Sequence, residues 1–134
     1  MTHAEQTSVD FQVLTNDAAN KTTCIRTAYL NAINAAEKRI LIVNSYFIPD
    51  RRFRTALYYA RRRGVRVQVM VPGISDYRSA FFASCNLYDR MMRRGVEIYE
   101  YQPSVLHAKL AVVDDYISIV GTYTTICRRI TGHI

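Results

Sequence analysis

The sequence has no tryptophan, few cysteines and no long hydrophobic run. Its three cysteines, Cys24, Cys85 and Cys127, are widely spaced and show neither metal-ligand spacing nor a disulfide framework, which favours a reducing compartment. No apolar run is long enough to cross a bilayer, and residues 1–10 lack the cationic start and apolar stretch of an export signal. We therefore expect the chain, as given, to be soluble and to carry no export signal.

Acidic residues are also scarce relative to basic ones. There are 18 Lys and Arg residues against 11 Asp and Glu, so the formal net charge is +7. This excess favours anionic partners such as nucleic acid, acidic lipid headgroups or phosphate esters. The arginines at 51, 52, 54, 61, 62 and 63 are candidate contacts for such partners, and a solvated helix face is the alternative explanation.

The remaining composition is that of an ordinary globular domain. Hydrophobic residues make up 49% of the 134 residues and charged residues 22%, which excludes a disordered chain. This length predicts one domain with a core of its own, which we place at residues 11–134 after a polar tail at 1–10.

Hydrophobic periodicity predicts strands that alternate with helices. Helices are expected at about 23–38, 51–63 and 77–94, and strands at 11–15, 40–43, 65–71, 96–101, 106–113 and 116–120. In the third helix the spacing places Ala80, Phe81, Cys85, Tyr88 and Met92 on the apolar face. Asp50 is the expected N-cap of the second helix, and Gly64 and Gly95 follow the second and third. This order predicts an α/β fold with a mostly parallel sheet flanked by helices, closed by an antiparallel hairpin.

A short stretch of the predicted hairpin combines three chemically active side chains, His107, Lys109 and Asp114. On a strand His107 and Lys109 point to the same face, about 7 Å apart. A histidine near neutrality serves as base, acid or nucleophile, and a neighbouring lysine offers positive charge, so the pair suits attack on a phosphate. The alternative is a histidine at a strand edge, a solvated lysine and a hairpin aspartate.

Two other places supply candidate substrate contacts. Ser45, Tyr46 and Phe47 follow one predicted strand, and Asp76 lies in the turn after another. Open α/β sheets bind ligands outside the carboxyl ends of their strands. Tyr46 and Asp76 are therefore candidate substrate-binding residues, with an ordinary loop role as the alternative.

The spacing His-x-Lys, four residues, Asp resembles the signature of the phospholipase D superfamily. Residues 119–122 (IVGT) follow it where that superfamily usually has a Val-Gly-Ser-like step. The segments 43–50 (VNSYFIPD), 62–67 (RRGVRV), 71–76 (VPGISD) and 95–101 (GVEIYEY) resemble those of bacterial cardiolipin synthases and their relatives. In those enzymes this type of sequence forms the second of two halves, each with one motif. The resemblance covers about residues 11–129.

The resemblance implies a phospholipase D-like half-domain that acts through a covalent phosphohistidine. His107 would be the nucleophile or the acid/base, Lys109 would bind phosphate, and Asp114 would support the hydrogen bonding of the site. The chemistry needs no metal or other cofactor, and the sequence has no cluster of metal ligands.

The segment after the motif departs from the family pattern. Thr122 can replace the usual serine hydroxyl, but Thr124 stands in place of an asparagine and lacks its amide donor, and Ile126 replaces an acid. Losing one such donor typically costs roughly 10²–10³ in rate. The family half normally continues further, so a chain truncated at its C-terminus is expected, with a divergent C-terminus as the alternative explanation.

Three hypotheses follow from one motif in this setting. The first is half of a cardiolipin synthase-like phosphatidyltransferase, acting on a phospholipid or other phosphodiester, peripheral at the cytoplasmic side of a bacterial inner membrane. The second is a homodimeric phosphodiesterase or nuclease with nucleic acid as substrate. The third is a decayed module without catalysis. The first two need a partner, either a second half that carries a motif or a second copy.

Overall fold

The computed structural model describes residues 10–14, 24–73 and 78–121, without the side chains of 78–83. The helices are α1 (Cys24–Ala35), α2 (Arg51–Arg62) and α3 (Arg78–Met92). The strands are β1 (Arg39–Asn44), β2 (Arg66–Pro72), β3 (Glu97–Tyr101), β4 (Lys109–Val113) and β5 (Ile117–Val120).

The five strands form one sheet in the order β3-β2-β1-β4-β5. β1 pairs with β2 and β2 with β3 in parallel, whereas β4 is antiparallel to both β1 and β5. Four strands thus run in one direction and only β4 runs against them. This arrangement confirms the predicted α/β fold, the mostly parallel sheet and the final antiparallel hairpin.

One face of the sheet packs against the helices and forms the core. Alternate strand residues such as Ile42, Val69 and Ala111 are buried there, together with Ile33 of α1 and Leu57 of α2. The two crossovers through α2 and α3 step in the same direction along the sheet, and right-handed crossovers therefore put both helices on the same face.

The predicted helix ends of α2 are confirmed. The carboxylate of Asp50 accepts a hydrogen bond from the backbone N–H of Phe53 at 2.9 Å, which satisfies one of the free amides at the helix start. Gly64, after the helix, has a φ of 91°, a conformation that favours glycine. The pKa of Asp50 is lowered: burial opposes this, but the bonds from Phe53 and Arg26 outweigh it.

Two local predictions are wrong. Residues 11–14 lie in no strand, with Phe11 and Val13 largely exposed, because a strand pattern without a neighbouring strand has nothing to pair with (Thr15 lies outside the described residues). The apolar face of α3 was also predicted in the wrong phase. Tyr88 packs against the core as predicted, but Cys85 and Met92 are exposed, and the buried residues are Ser84, Leu87 and Met91. The side chains of Ala80 and Phe81 lie outside the described part.

Candidate active site

His107 and Lys109 lie near the edge of the sheet where the parallel strands end. Because β4 runs against β1, the first residue of β4 lies beside the last residue of β1, and Lys109 pairs with Asn44. One step further, the backbone N–H of Ser45 donates to the carbonyl oxygen of Ala108 at 3.2 Å. His107 precedes this contact. His107 and Lys109 are thus placed at the carboxyl edge, where open α/β sheets bind ligands.

His107 lies just outside the strand, in contrast to the prediction that β4 begins at 106. It is exposed, whereas Lys109 is half-buried within the strand. The β1–β4 pairing ends at Asn44 and Lys109, and Tyr46, which is 36% exposed, lies in the bend just after β1. His107 is therefore open to an incoming ligand, and Tyr46 lies in the loop that leaves the same end of the sheet.

Lys109 and Asn44 share the helix-covered face of the sheet. In β4 the residues at 111 and 113 are buried in the core, so alternation places Lys109 on that same side. Residues paired across an antiparallel ladder also share a face, so Asn44 lies beside Lys109. Asn44 is 1% exposed, and its side-chain oxygen accepts a hydrogen bond from the backbone N–H of Tyr46 at 3.1 Å.

Ser45 is the second buried polar residue at this edge. It is 5% exposed, and its hydroxyl has no hydrogen-bond partner among the described residues. An unpartnered buried hydroxyl is costly, which makes it a candidate ligand contact. Asn44 was not predicted from the sequence; the available signal is a pair of polar residues directly after the apolar run 40–43.

The other end of the hairpin returns to the same edge. The backbone N–H of Gly121 donates to the carbonyl oxygen of Lys109 at 3.2 Å, so the end of β5 lies against the start of β4. Thr122 and Thr124 follow Gly121 in the sequence but lie outside the described residues, as does Asp76. Gly121, the residue before Thr122 in the sequence, therefore lies beside Lys109.

The loop after β1 is held by α3. The hydroxyl of Tyr88 donates to the carbonyl oxygen of Phe47 at 2.8 Å, and the two rings stack with centroids 6.5 Å apart. Burial raises the pKa of Tyr88 to about 12. The sequence placed Phe47 among the residues that follow β1 at the ligand-binding edge. In the structure its side chain is 1% exposed and belongs to the core. Its burial fixes the loop that carries Tyr46.

Asp114 lies at the other end of the strands, beside the start of β1. Its carboxylate accepts hydrogen bonds from the backbone N–H groups of Lys38 at 2.8 Å, Arg39 at 3.0 Å and Glu37 at 3.1 Å. Its own N–H donates to the carbonyl oxygen of Arg39 at 2.8 Å, and its φ is 52°. The amides of Arg39 and Lys38, then Glu37, hold the pKa of Asp114 below its ordinary value. Asp114 thus ties the β4–β5 turn to the start of β1, away from Lys109.

Two negative findings apply to the described residues. No group of three or more His, Cys, Asp and Glu side chains there is arranged to hold a metal ion. Nor does this part of the chain include a helix of the length and apolarity that a membrane span requires.

The comparisons with known proteins identify the family. Residues 29–130 match the family model described as "Cardiolipin synthase, PLD-like domain", which is more than half of the chain. The chain therefore belongs to this family, and the predicted resemblance is confirmed. It is 40% identical over 94 residues to cardiolipin synthase A of Pseudomonas putida, covering 70% of this chain and 20% of that protein. It is 35% identical over 111 residues to cardiolipin synthase 2 of Bacillus cereus, covering 83% and 22%. The chain spans about a fifth of the length of these relatives.

Solved structures show the same fold. The phospholipase D family member Nuc from Salmonella typhimurium is similar with a TM-score of 0.63 and 21% identity, over 75% of this chain and 64% of that chain. NucT from Helicobacter pylori is similar with a TM-score of 0.57 and 15% identity, over 75% and 67%.

Proposed function

We propose that this chain forms one half of an active site that cleaves a phosphodiester and transfers a phosphatidyl group, as in a cardiolipin synthase. The observation that carries the proposal is the placement of His107 and Lys109 at the carboxyl edge of the sheet, in a member of this family. Tyr46 borders the same edge and is the proposed substrate contact among the described residues. Roles for Thr122, Thr124 and Asp76 as substrate contacts stay predictions, since these residues lie outside the described part of the chain.

The proposed reaction has two steps with a covalent intermediate. A histidine ring nitrogen bonds to phosphorus as the bond from phosphorus to the leaving alcohol breaks, and a second histidine protonates the leaving oxygen. The second histidine then takes a proton from the acceptor alcohol or water. The oxygen of that acceptor bonds to phosphorus as the phosphorus–nitrogen bond breaks. His107 takes one of these roles, and Lys109 stabilises the negative phosphate oxygens.

The second histidine requires a partner. The chain has one His-x-Lys motif, so the complementary motif comes from another half or from a second copy of this chain. A half that works on phospholipid acts at a membrane surface, and we propose a peripheral position on the cytoplasmic side. Asp114 is proposed to support the site indirectly, through the register of β4.

A homodimeric phosphodiesterase is the second candidate. The single motif favours it, since two copies related by a twofold axis would bring two His107 side chains together. The net charge of +7 suits nucleic acid as its substrate. Light scattering separates the two candidates, because only the second requires a stable dimer of this chain alone.

A chimeric enzyme tests the leading proposal even if the isolated chain is inactive. Residues 29–130 would replace the matching segment of cardiolipin synthase A from Pseudomonas putida, and cardiolipin formation from phosphatidylglycerol would be measured. We expect activity in the chimera, its loss with His107→Asn or Lys109→Met, and its retention with the control Asp115→Asn, an exposed residue just outside the motif. A folded but inactive chimera favours the decayed module, and activity that survives His107→Asn overturns the proposal. Mass spectrometry of a quenched reaction shows whether the phosphoryl group resides on His107.

A further inference from the structure

Helix α2 carries an unusual concentration of positive charge. Its sequence RRFRTALYYARR contains five arginines and no acidic residue, and Arg63 follows at its C-cap. Its core-facing residues are buried, so the charge lies on the remaining surface of the helix. This surface is distinct from the sheet edge that carries His107.

The structure divides these arginines into two groups. Arg54, Arg61 and Arg63 donate hydrogen bonds to backbone carbonyl oxygens: to Pro49 at 3.0 Å, to Val65 at 2.9 Å, and to Ile33 at 3.0 Å and Ala36 at 3.2 Å. These three side chains therefore support the fold.

The second group, Arg51, Arg52 and Arg62, is exposed. Within the described residues none of the three forms a salt bridge, whereas Arg39, Arg66 and Arg93 pair with Asp115, Glu97 and Asp89. A contribution to the stability of the fold therefore does not explain why arginine occurs at all three positions. Arg51 and Arg52 lie in the first turn, where the helix dipole disfavours cations.

These arginines share one side of the helix with an aromatic residue. At about 3.6 residues per turn, Arg51, Arg52, Thr55, Tyr59 and Arg62 fall on one exposed arc, which we name the arginine face. Tyr59 is 55% exposed, and the guanidinium of Arg62 lies 5.9 Å from the centre of its ring. The face extends about 16 Å along the helix, at about 1.5 Å per residue.

We propose that the arginine face docks the half-site on an anionic lipid bilayer. Guanidinium groups bind phosphate oxygens in a bidentate manner, and an exposed tyrosine suits the headgroup region. α2 begins shortly after β1 ends, so Arg51 and Arg52 lie toward the edge that carries His107. This inference rests on the proposed function, because a phospholipid substrate would be part of the bilayer surface on which the chain docks.

Vesicle sedimentation tests the proposal on the full chain. Binding would be measured to phosphatidylcholine vesicles with and without phosphatidylglycerol, over a series of NaCl concentrations. The test variant is Arg51→Gln, Arg52→Gln, Arg62→Gln. The control, Arg39→Gln, Arg66→Gln, Arg93→Gln, removes the same charge from exposed arginines that already pair with acids.

We expect salt-sensitive binding that requires phosphatidylglycerol and that weakens in the test variant by on the order of 100-fold, at about fivefold per arginine. The control variant should retain most of the binding. Equal loss in both variants would show that only net charge matters and would overturn the proposal. Unchanged binding in the test variant, or tighter binding to a fluorescent single-stranded oligonucleotide than to vesicles, would do the same.

The two proposals fail in different ways. In the chimeric enzyme, hydrolysis of the water-soluble bis(p-nitrophenyl) phosphate should be unaffected by the three arginine changes and abolished by His107→Asn. Vesicle binding that is unchanged in the triple arginine variant, while His107→Asn still abolishes hydrolysis, would rule out the docking surface and leave the proposed chemistry standing.

Discussion

Lys109 and Asp114 lie at opposite ends of β4, although both belong to the same short motif. Lys109 pairs with Asn44 at the end of β1, and Asp114 bonds to the amides just before and at the start of β1. Five residue steps along the chain separate their Cα atoms by about 16 Å, at about 3.3 Å per step. The motif therefore spans the length of β4: the candidate site residues lie at one end and an anchor lies at the other, and the anchor fixes which residue of β1 lies beside Lys109.

Asp114→Asn should lower the thermal unfolding temperature. The carboxylate accepts three backbone N–H groups with two oxygens, and an asparagine presents an NH₂ donor in place of one of them. Because the folded pKa of Asp114 lies below the ordinary value of 3.8, its stabilisation is complete above that value and is lost as the pH falls through the folded pKa. The gap between wild type and variant should thus be widest near neutral pH and narrow in acid.

Asp115→Asn is the matched control. Asp115 is next in the sequence but is exposed, and its bond to Arg39 at 2.6 Å joins two side chains that are both more than half exposed. Exposed pairs of this kind contribute little to stability. Calorimetry from pH 3 to pH 7 should show a small, nearly constant effect for Asp115→Asn. A similar profile for both variants would contradict the anchor role of Asp114.

Two buried serines should respond to alanine in opposite ways. Ser84 hydrogen-bonds to Tyr88, so Ser84→Ala should cost about 1 kcal/mol of unfolding free energy. The hydroxyl of Ser45 has no partner among the described residues, so Ser45→Ala should be neutral or stabilising by up to about 1 kcal/mol. Urea unfolding measures both. If Ser45 contacts substrate, the same variant should lose activity in the chimera while it stays stable. A larger loss of stability for Ser45→Ala than for Ser84→Ala would show that the Ser45 hydroxyl has a partner.

The elements with strong local signals were predicted well from the sequence. The apolar run 40–43 and the alternating run 65–71 became β1 and β2, and Asp50 and Gly64 mark the ends of α2 as expected. These signals are local: side-chain alternation, a capping oxygen and a glycine with positive φ. The phase of α3 was not predicted correctly, because aromatic and sulfur-containing residues occur on several sides of that helix.

The geometry of the candidate site was predicted in part, because residue types indicate a chemistry but do not give the strand order. Nothing local to Asn44 or Ser45 indicates that β4 inserts beside β1, and only that pairing brings them next to Lys109. Likewise, the sequence distance between Lys109 and Asp114 is short, while their separation depends on β4 being extended. Long-range pairing of this kind is set by the packing of the whole sheet.

Glu97 should titrate far below an ordinary glutamate. The Arg66 side chain and then the Tyr99 hydroxyl donate hydrogen bonds to its carboxylate, which lowers its pKa to about 2. NMR titration of the side-chain carboxyl group should show this value, with a large rise in Arg66→Met and a smaller rise in Tyr99→Phe. Because these groups lie at the surface, the effect on stability should be small. An ordinary pKa near 4.5 in the wild-type protein would contradict the contacts.

Tyr88→Phe should loosen the loop that carries Tyr46 beside the site. The variant keeps the ring that stacks on Phe47 but removes the hydroxyl that donates to its carbonyl oxygen at 2.8 Å. Loss of one such bond should cost about 1 kcal/mol of unfolding free energy. In the chimeric enzyme we expect a higher KM for phospholipid, because the loop that carries Tyr46 becomes less ordered, with a smaller change in kcat.

Tyr58→Phe is the comparison for this variant, because Tyr58 is also half-buried but lies in α2 and not in α3. The guanidinium of Arg94 lies 4.7 Å from the centre of the Tyr58 ring. The effect of Tyr58→Phe on KM should be small, since the ring and its cation contact remain. If Tyr58→Phe raises KM as much as Tyr88→Phe, the change reflects general loosening of the helices. If only Tyr88→Phe does so, the hydrogen bond from α3 positions the loop at the edge where His107 lies.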